Sequence, residues 1–339
     1  MVKKTNIELL RIIAMCMIIG LHYWNLKIGG GKPLNTSLFC ATQSLCVCGV
    51  NLFVLITGWF SVKSFTIDVR KICRLLLDVS IWGVLGLIFA CVFFDEDVSL
   101  RSFLWAAIPH FRRNRWFVEA YVILLLFIPF INICLHKISE KSHQILMWLC
   151  ITLFVVWPSF LPYPPVDNWG FGFIHFISLY IIISYVRMHV NKLPSKLKCL
   201  AGFVISYCMI LLEQQLNIAQ RWHYDSLFVV TEALFLFLFF VQLNFKSKWI
   251  NFLAASSFGV YLIHTEPLFF QNVCFYDMFA KYNTTGFLAQ TVMFVVSLLG
   301  IYIVCFVLEE FKKVACRYSC DKVLDKIPFL RKINIEYID

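Results

Sequence analysis

Apolar residues in this chain gather into runs of roughly 17 to 23 positions, each long enough to cross a hydrocarbon core of ~30 Å as a helix. They occupy 7–26, 39–60, 75–94, 116–135, 145–161, 171–189, 197–216, 226–243, 251–271 and 286–309. The predicted fold class is therefore all-α: a polytopic membrane protein with a single bundle of about ten transmembrane helices. Polar stretches between the runs are too short to hold a soluble domain, so function must lie inside the bundle or at its two faces. The expected division is a membrane domain over 1–311 and a basic cytoplasmic tail over 312–339.

Composition agrees, with 60% hydrophobic and 15% charged residues against about 45–50% and about 25% in a soluble domain. A net charge of +10 suggests nucleic acid until its placement is considered. Of the 30 Lys and Arg, 21 fall in the N-terminus, the tail and the alternate loops on their side, and 8 in the opposite loops. That asymmetry places both termini in the cytoplasm and leaves no need for a nucleic-acid partner. Lys3 and Lys4 precede an apolar core without a small-residue cleavage site, so the first helix is expected to remain uncleaved. The fourteen cysteines fall mostly within apolar runs, where they act as small hydrophobes; neither disulfides nor a metal are expected.

Ionisable residues inside the runs carry the candidate chemistry. Arg11 and His22 lie eleven residues apart on one helix face, separated by about 16 Å along the axis, and Glu8 stands one turn before Arg11 and can neutralise it. With the termini inside, His22, Glu119, His175, Glu232, His264 and Glu266 all fall in the outer half of the membrane, as a water-accessible cavity would require. An aromatic and amide rim surrounds the same face, formed by Trp24, Trp116, Trp157, Tyr163, Trp169, Trp222 and Tyr224 with Asn25, Asn114 and Asn168. Part of it is the ordinary aromatic belt of a membrane interface; such a rim also suits a sugar, whose apolar face stacks on rings while its hydroxyls bond amides. On the inner side Arg70, Lys71 and Arg74 crowd one helical turn, where they either contact anionic lipid or clamp a polyphosphate. Gly20, Gly49 and Gly58 either let helices approach closely or leave room for a ligand arm.

These residues resemble the acyltransferase-3 superfamily of integral membrane acyltransferases, which O-acetylate bacterial surface polysaccharides. Asn6-Ile-Glu-Leu-Leu-Arg11-Ile-Ile-Ala-Met with His22 matches the family's Arg, ten residues, His pattern in helix 1. Gly49-Val-Asn-Leu-Phe-Val-Leu-Ile-Thr-Gly58-Trp-Phe is similar to its helix 2, and Trp116-Phe-Val-Glu119-Ala-Tyr with Pro129-Phe-Ile-Asn132 to its helix 4. Ser257-Phe-Gly-Val-Tyr-Leu-Ile-His264 resembles its penultimate helix. The family's two arginines separated by two residues appear as Lys71-Ile-Cys-Arg74, which keeps the charge and loses one bidentate fork.

The resemblance implies a bacterial inner-membrane enzyme with acetyl-CoA, or another short acyl-CoA, as cytoplasmic donor and no permanently bound cofactor. The acceptor is then a hydroxyl of a surface glycan or lipid-linked sugar. His22 is the expected general base, with Glu119, Glu232 or Glu266 holding its tautomer, or else the site of a transient acyl-histidine. Arg11, paired with Glu8, would stabilise the donor end or organise helix 1, while Arg70, Lys71 and Arg74 meet the phosphates. Trp116, Glu119, His175, Glu232, His264 and Glu266 are the substrate-side candidates. The rival classes are a transporter or flippase, which calls for repeated halves with paired helix breaks, and a polysaccharide polymerase, for which only Arg112, Arg113 and Arg115 stand ready.

Overall fold

In lipid every backbone N–H and C=O must find its partner within its own segment, so the apolar runs close as helices. The computed structural model describes residues 4–28, 36–94, 99–108, 115–161, 167–218, 222–266, 286–316 and 332–335. In chain order these form α1 (Thr5–Ile28), α2 (Thr36–Cys46), α3 (Gly49–Ser61), β1 (Thr66–Asp68), α4 (Val69–Phe94), α5 (Leu100–Ala107), α6 (Trp116–Lys137) and α7 (Glu140–Ile151). There follow α8 (Trp157–Phe160), α9 (Phe173–His189), α10 (Lys196–Gln215), α11 (Leu227–Val241), α12 (Lys248–Ala254), α13 (Ser257–His264), α14 (Phe287–Cys316) and β2 (Lys332–Asn334).

Among the described residues seven segments are long and apolar enough to cross a membrane: α1, α2 with α3, α4, α6, α7 through α8, α10 and α14. Two further apolar helices, α9 and α11, are shorter. The run expected over 251–271 divides at Ala255–Ser256 into α12 and α13, and its last residues, 267–271, lie outside the described residues. A π-helical stretch, Thr152–Val156, joins α7 to α8 ahead of Pro158.

α1 is the central helix, touching α2, α3, α11, α12, α13 and α14, and Ile7, Leu10, Ala14 and Ile19 on it are wholly enclosed. Helices come close where one partner offers no side chain at the contact. A Cβ added at Gly49 would lie 3.0 Å from the Ala14 carbonyl oxygen, and one at Gly20 2.8 Å from Cys46 Sγ. Both glycines, and Gly58 against Tyr180 and Ile183 of α9, serve close packing rather than space for a ligand arm. Peripheral helices turn bulky apolar side chains outward, among them Val92, Phe93, Ile205, Leu288 and Phe311, as a lipid-facing surface requires.

Among the described residues one feature departs from an all-helical plan: β1 and β2 pair antiparallel with Ile67 opposite Ile333. Three-residue strands carry too little alternation to be read from sequence.

Candidate active site

Glu8, Arg11, Met15, Ile18 and His22 are spaced by three or four residues and form one stripe on α1. The first four line a cavity of about 480 Å³. Its apolar walls include Phe53 and Ile56 of α3, Phe117 and Tyr121 of α6, and Phe258 and Tyr261 of α13, while Lys71, Arg74 and Asp78 of α4 line its charged mouth. Arg11 Nη1 donates to both oxygens of Glu8, at 2.9 and 3.1 Å, which is the local neutralisation expected from their spacing. Arg70 belongs to the same turn as Lys71 and is not part of the cavity lining.

The start of α4 is an unusual place for these cations. The helix dipole makes an N-terminus favourable for acids and anions and unfavourable for bases, yet the first turn of α4 has no acidic residue and holds Arg70 and Lys71. Asp68, immediately before the helix, supplies the cap: its Oδ1 accepts the Lys71 backbone N–H at 3.0 Å. The loop leading into β1 is held from the other side by Asn132 of α6. Asn132 Nδ2 donates to the Ser61 and Ser64 carbonyls at 2.7 and 2.8 Å, and its Oδ1 accepts the Tyr180 hydroxyl at 2.6 Å. The helix dipole and the exposed cations Lys71 and Arg74 thus converge on a mouth suited to an anion.

At the other end of the stripe, His22 follows Ile18 by one turn, about 6 Å along the axis, and its Nδ1 lies 3.0 Å from His264 Nε2. His264 is in turn one step beyond the cavity-lining Tyr261, with ring centroids 6.0 Å apart. The Val260 carbonyl accepts from His264 Nδ1 at 2.7 Å. A carbonyl can only accept, so this Nδ1 carries a proton; with both rings neutral, His264 Nε2 is an acceptor and His22 Nδ1 must donate to it. The lone pair of His22 is thereby fixed on Nε2, which has no hydrogen-bond partner among the described residues. A ring held in one tautomer with its basic nitrogen free is equipped to take a proton.

The holder of the His22 tautomer is therefore His264, and not Glu119, Glu232 or Glu266 as expected. Glu266 instead pairs with Arg115 Nη2 in a buried contact, while Arg115 Nη1 donates to Thr265 Oγ1 at 2.9 Å and the Leu262 carbonyl at 3.3 Å. Arg115 thus grips the end of α13 that presents His264. Glu232 is fully buried on α11 beside the Cys48 thiol, and Glu119 is half-buried in the first turn of α6. His175 is a structural clamp: its Nε2 donates to Asn51 Oδ1 at 2.9 Å, and Asn51 Nδ2 donates to the Tyr224 carbonyl at 2.8 Å. Trp116 packs among Phe171 and Tyr224, with centroids 4.7 and 5.5 Å away. Arg112, Arg113, Asn114 and Tyr163 lie outside the described residues, as does the side chain of Asn25.

Sequence reasoning missed Arg115 as a site support. Its signal was available, since Arg115 stands at the edge of one apolar run and Glu266 inside another, opposite charges that each need a partner.

The chain belongs to the acyltransferase-3 family: the family model described as an acyltransferase domain matches residues 4–310, almost the whole helical bundle. It is a multi-pass membrane acyltransferase. Neither the curated proteins nor the solved structures contain a match.

Proposed function

We propose that this acyltransferase moves an acetyl or other short acyl group from cytoplasmic acyl-CoA to a hydroxyl of a surface polysaccharide or its lipid-linked precursor. The observation that carries this reading is the α1 stripe, which runs from a cationic mouth along a largely apolar cavity and ends, one turn beyond the cavity lining, at a histidine of fixed tautomer. Lys71 and Arg74 would hold the CoA phosphates, the cavity would take the pantetheine arm, and Arg11 with Glu8 would shape its entrance. At the outer end His22 Nε2 takes the acceptor hydroxyl's proton as the oxygen attacks the thioester carbonyl. The C–S bond breaks, CoA leaves as a thiolate, and His22 returns the proton to it. The transient positive charge on His22 is shared through its bond to His264.

The orientation that this requires has ten crossings, both termini in the cytoplasm and the α4 mouth inside a bacterial inner membrane. Charge asymmetry supports it. In sealed cells lacking native cysteines, Trp169→Cys should react with an impermeant thiol reagent and Lys71→Cys only after permeabilisation. Labelling of the latter from outside overturns the orientation.

The decisive experiment for the reaction is mass analysis of surface glycans from cells with the intact gene and from cells carrying His22→Ala. An acetyl-sized mass difference on one glycan is the expected result. Identical glycans would contradict the assignment.

A further inference from the structure

The segment feeding α4 is held by residues from the far end of the sequence. β2 pairs with β1 so that Thr66 faces Asn334, Ile67 faces Ile333 and Asp68 faces Lys332, and the Ile335 N–H donates to the Phe65 carbonyl at 3.1 Å. Every residue of β2 is exposed, Ile333 by 47%. The strand therefore adds little apolar burial, and what it contributes is backbone bonding to residues 65–68. An isolated two-stranded ladder is marginal in water. Here the facing segment is already immobilised through Asn132 on its other side and β2 also rests on α4, so little ordering remains to be done.

Asp68 links this ladder to the cavity. It is the last residue of β1, stands opposite Lys332 and caps α4 through Lys71 N. An N-cap residue requires extended backbone angles while the next residue is already helical, and pairing with β2 imposes that extended geometry on Asp68. The direction in which α4 enters, and with it the aim of Lys71 and Arg74 at the mouth, is thus set from both sides.

The geometry points to the C-terminal strand as a positioning clamp for the donor mouth, acting on acyl-CoA binding through β1 and α4. This rests on the reading of that mouth as the donor site. Neither Lys332 nor Ile333 lines the cavity, so the strand acts without touching donor.

The test compares purified wild type with a chain ending at residue 331 and with Ile335→Pro, which lacks the N–H donated to Phe65. Each variant should raise KM for acetyl-CoA, by about fivefold in the truncated chain, with kcat and thermal stability unchanged. A second variant examines the pairing itself: Thr66→Cys with Asn334→Cys, in a chain without native cysteines, should form a disulfide and keep the wild-type KM. An unchanged KM in the truncated chain, or KM, kcat and stability all failing together, overturns the clamp, as does failure of the cysteine pair to cross-link. Lys71→Ala with Arg74→Ala separates the two claims. If that variant weakens donor binding and truncation does not, the clamp alone is wrong; if it leaves donor binding intact, the donor reading falls and the clamp with it.

Discussion

At the mouth of the cavity Lys71 and Arg74 are exposed and Arg11 retains 35% of its side-chain surface. At the histidine end of the α1 stripe, one turn beyond the cavity lining, Arg115 retains 2%, His264 is buried, and the two histidine nitrogens are in direct hydrogen-bond contact. Exposed cations act through a field that salt screens and that neighbouring charges partly replace. Buried hydrogen-bonded groups act through position, and removing one strands its partner. The mouth should therefore tolerate substitution with graded losses in binding, whereas the head should fail abruptly in turnover or folding.

The largest effect expected is at the head. His22→Ala should lower acyl transfer by about 10² to 10⁴ while the purified protein remains folded; wild-type turnover would break the contrast at its strongest point. Arg115→Ala strands the Glu266 carboxylate and should destabilise the bundle by about 3–5 kcal/mol, measured as loss of extractable folded protein. Arg115→Ala with Glu266→Gln should recover part of that loss, and no recovery would mean that the pair is not the cause. His264→Ala frees the His22 ring to adopt either tautomer and should cost about 10² in kcat, with donor KM unchanged; a donor-binding defect instead would place His264 at the mouth.

Smaller effects belong to the periphery. Lys71→Ala with Arg74→Ala should weaken donor binding by about tenfold at low salt, and the gap should narrow as salt rises. An equal gap at every ionic strength would rule out a field effect. Asp225, in the turn before α11, is buried beside Asp167; burial first, then the Asp167 charge, pushes its carboxyl up to about 7 from an ordinary 3.8. Between those values the folded protein keeps a proton that the unfolded chain has released, so stability falls as pH rises from about 4 to about 7. Asp225→Asn should remove that fall and raise Tm by about 2–4 °C at pH 8, with little change at pH 4. The same gain at both pH values would exclude titration as its source.

Much of the charge at the mouth was legible in the sequence, because the spacing that groups it is local. Glu8 and Arg11 share a turn, Lys71 and Arg74 share another, and each set was placed by helical spacing alone. The histidine end depends on which helices are neighbours. Periodicity puts His22 and Arg11 on one face of α1 but cannot say that α13 meets that face, so carboxylates were expected where His264 stands. The break between α2 and α3 at Val47–Cys48 was likewise hidden inside an uninterrupted apolar run, and the β1–β2 ladder inside segments too short for any period. The role of Asn132 depends on α6 lying against the loop after α3, a neighbour relation that periodicity does not encode.

The contrast between the two ends is tested most directly by one assay of thiol release from acetyl-CoA in the presence of isolated surface glycan. It compares wild type, His22→Gln and the Lys71→Ala, Arg74→Ala double variant across donor concentrations. The account predicts that His22→Gln binds donor like the wild type yet does not turn over at saturation, and that the double variant regains near-wild-type turnover when donor is saturating. The reverse pattern, with turnover intact but donor binding lost in His22→Gln, and turnover lost at saturation in the double variant, would contradict it.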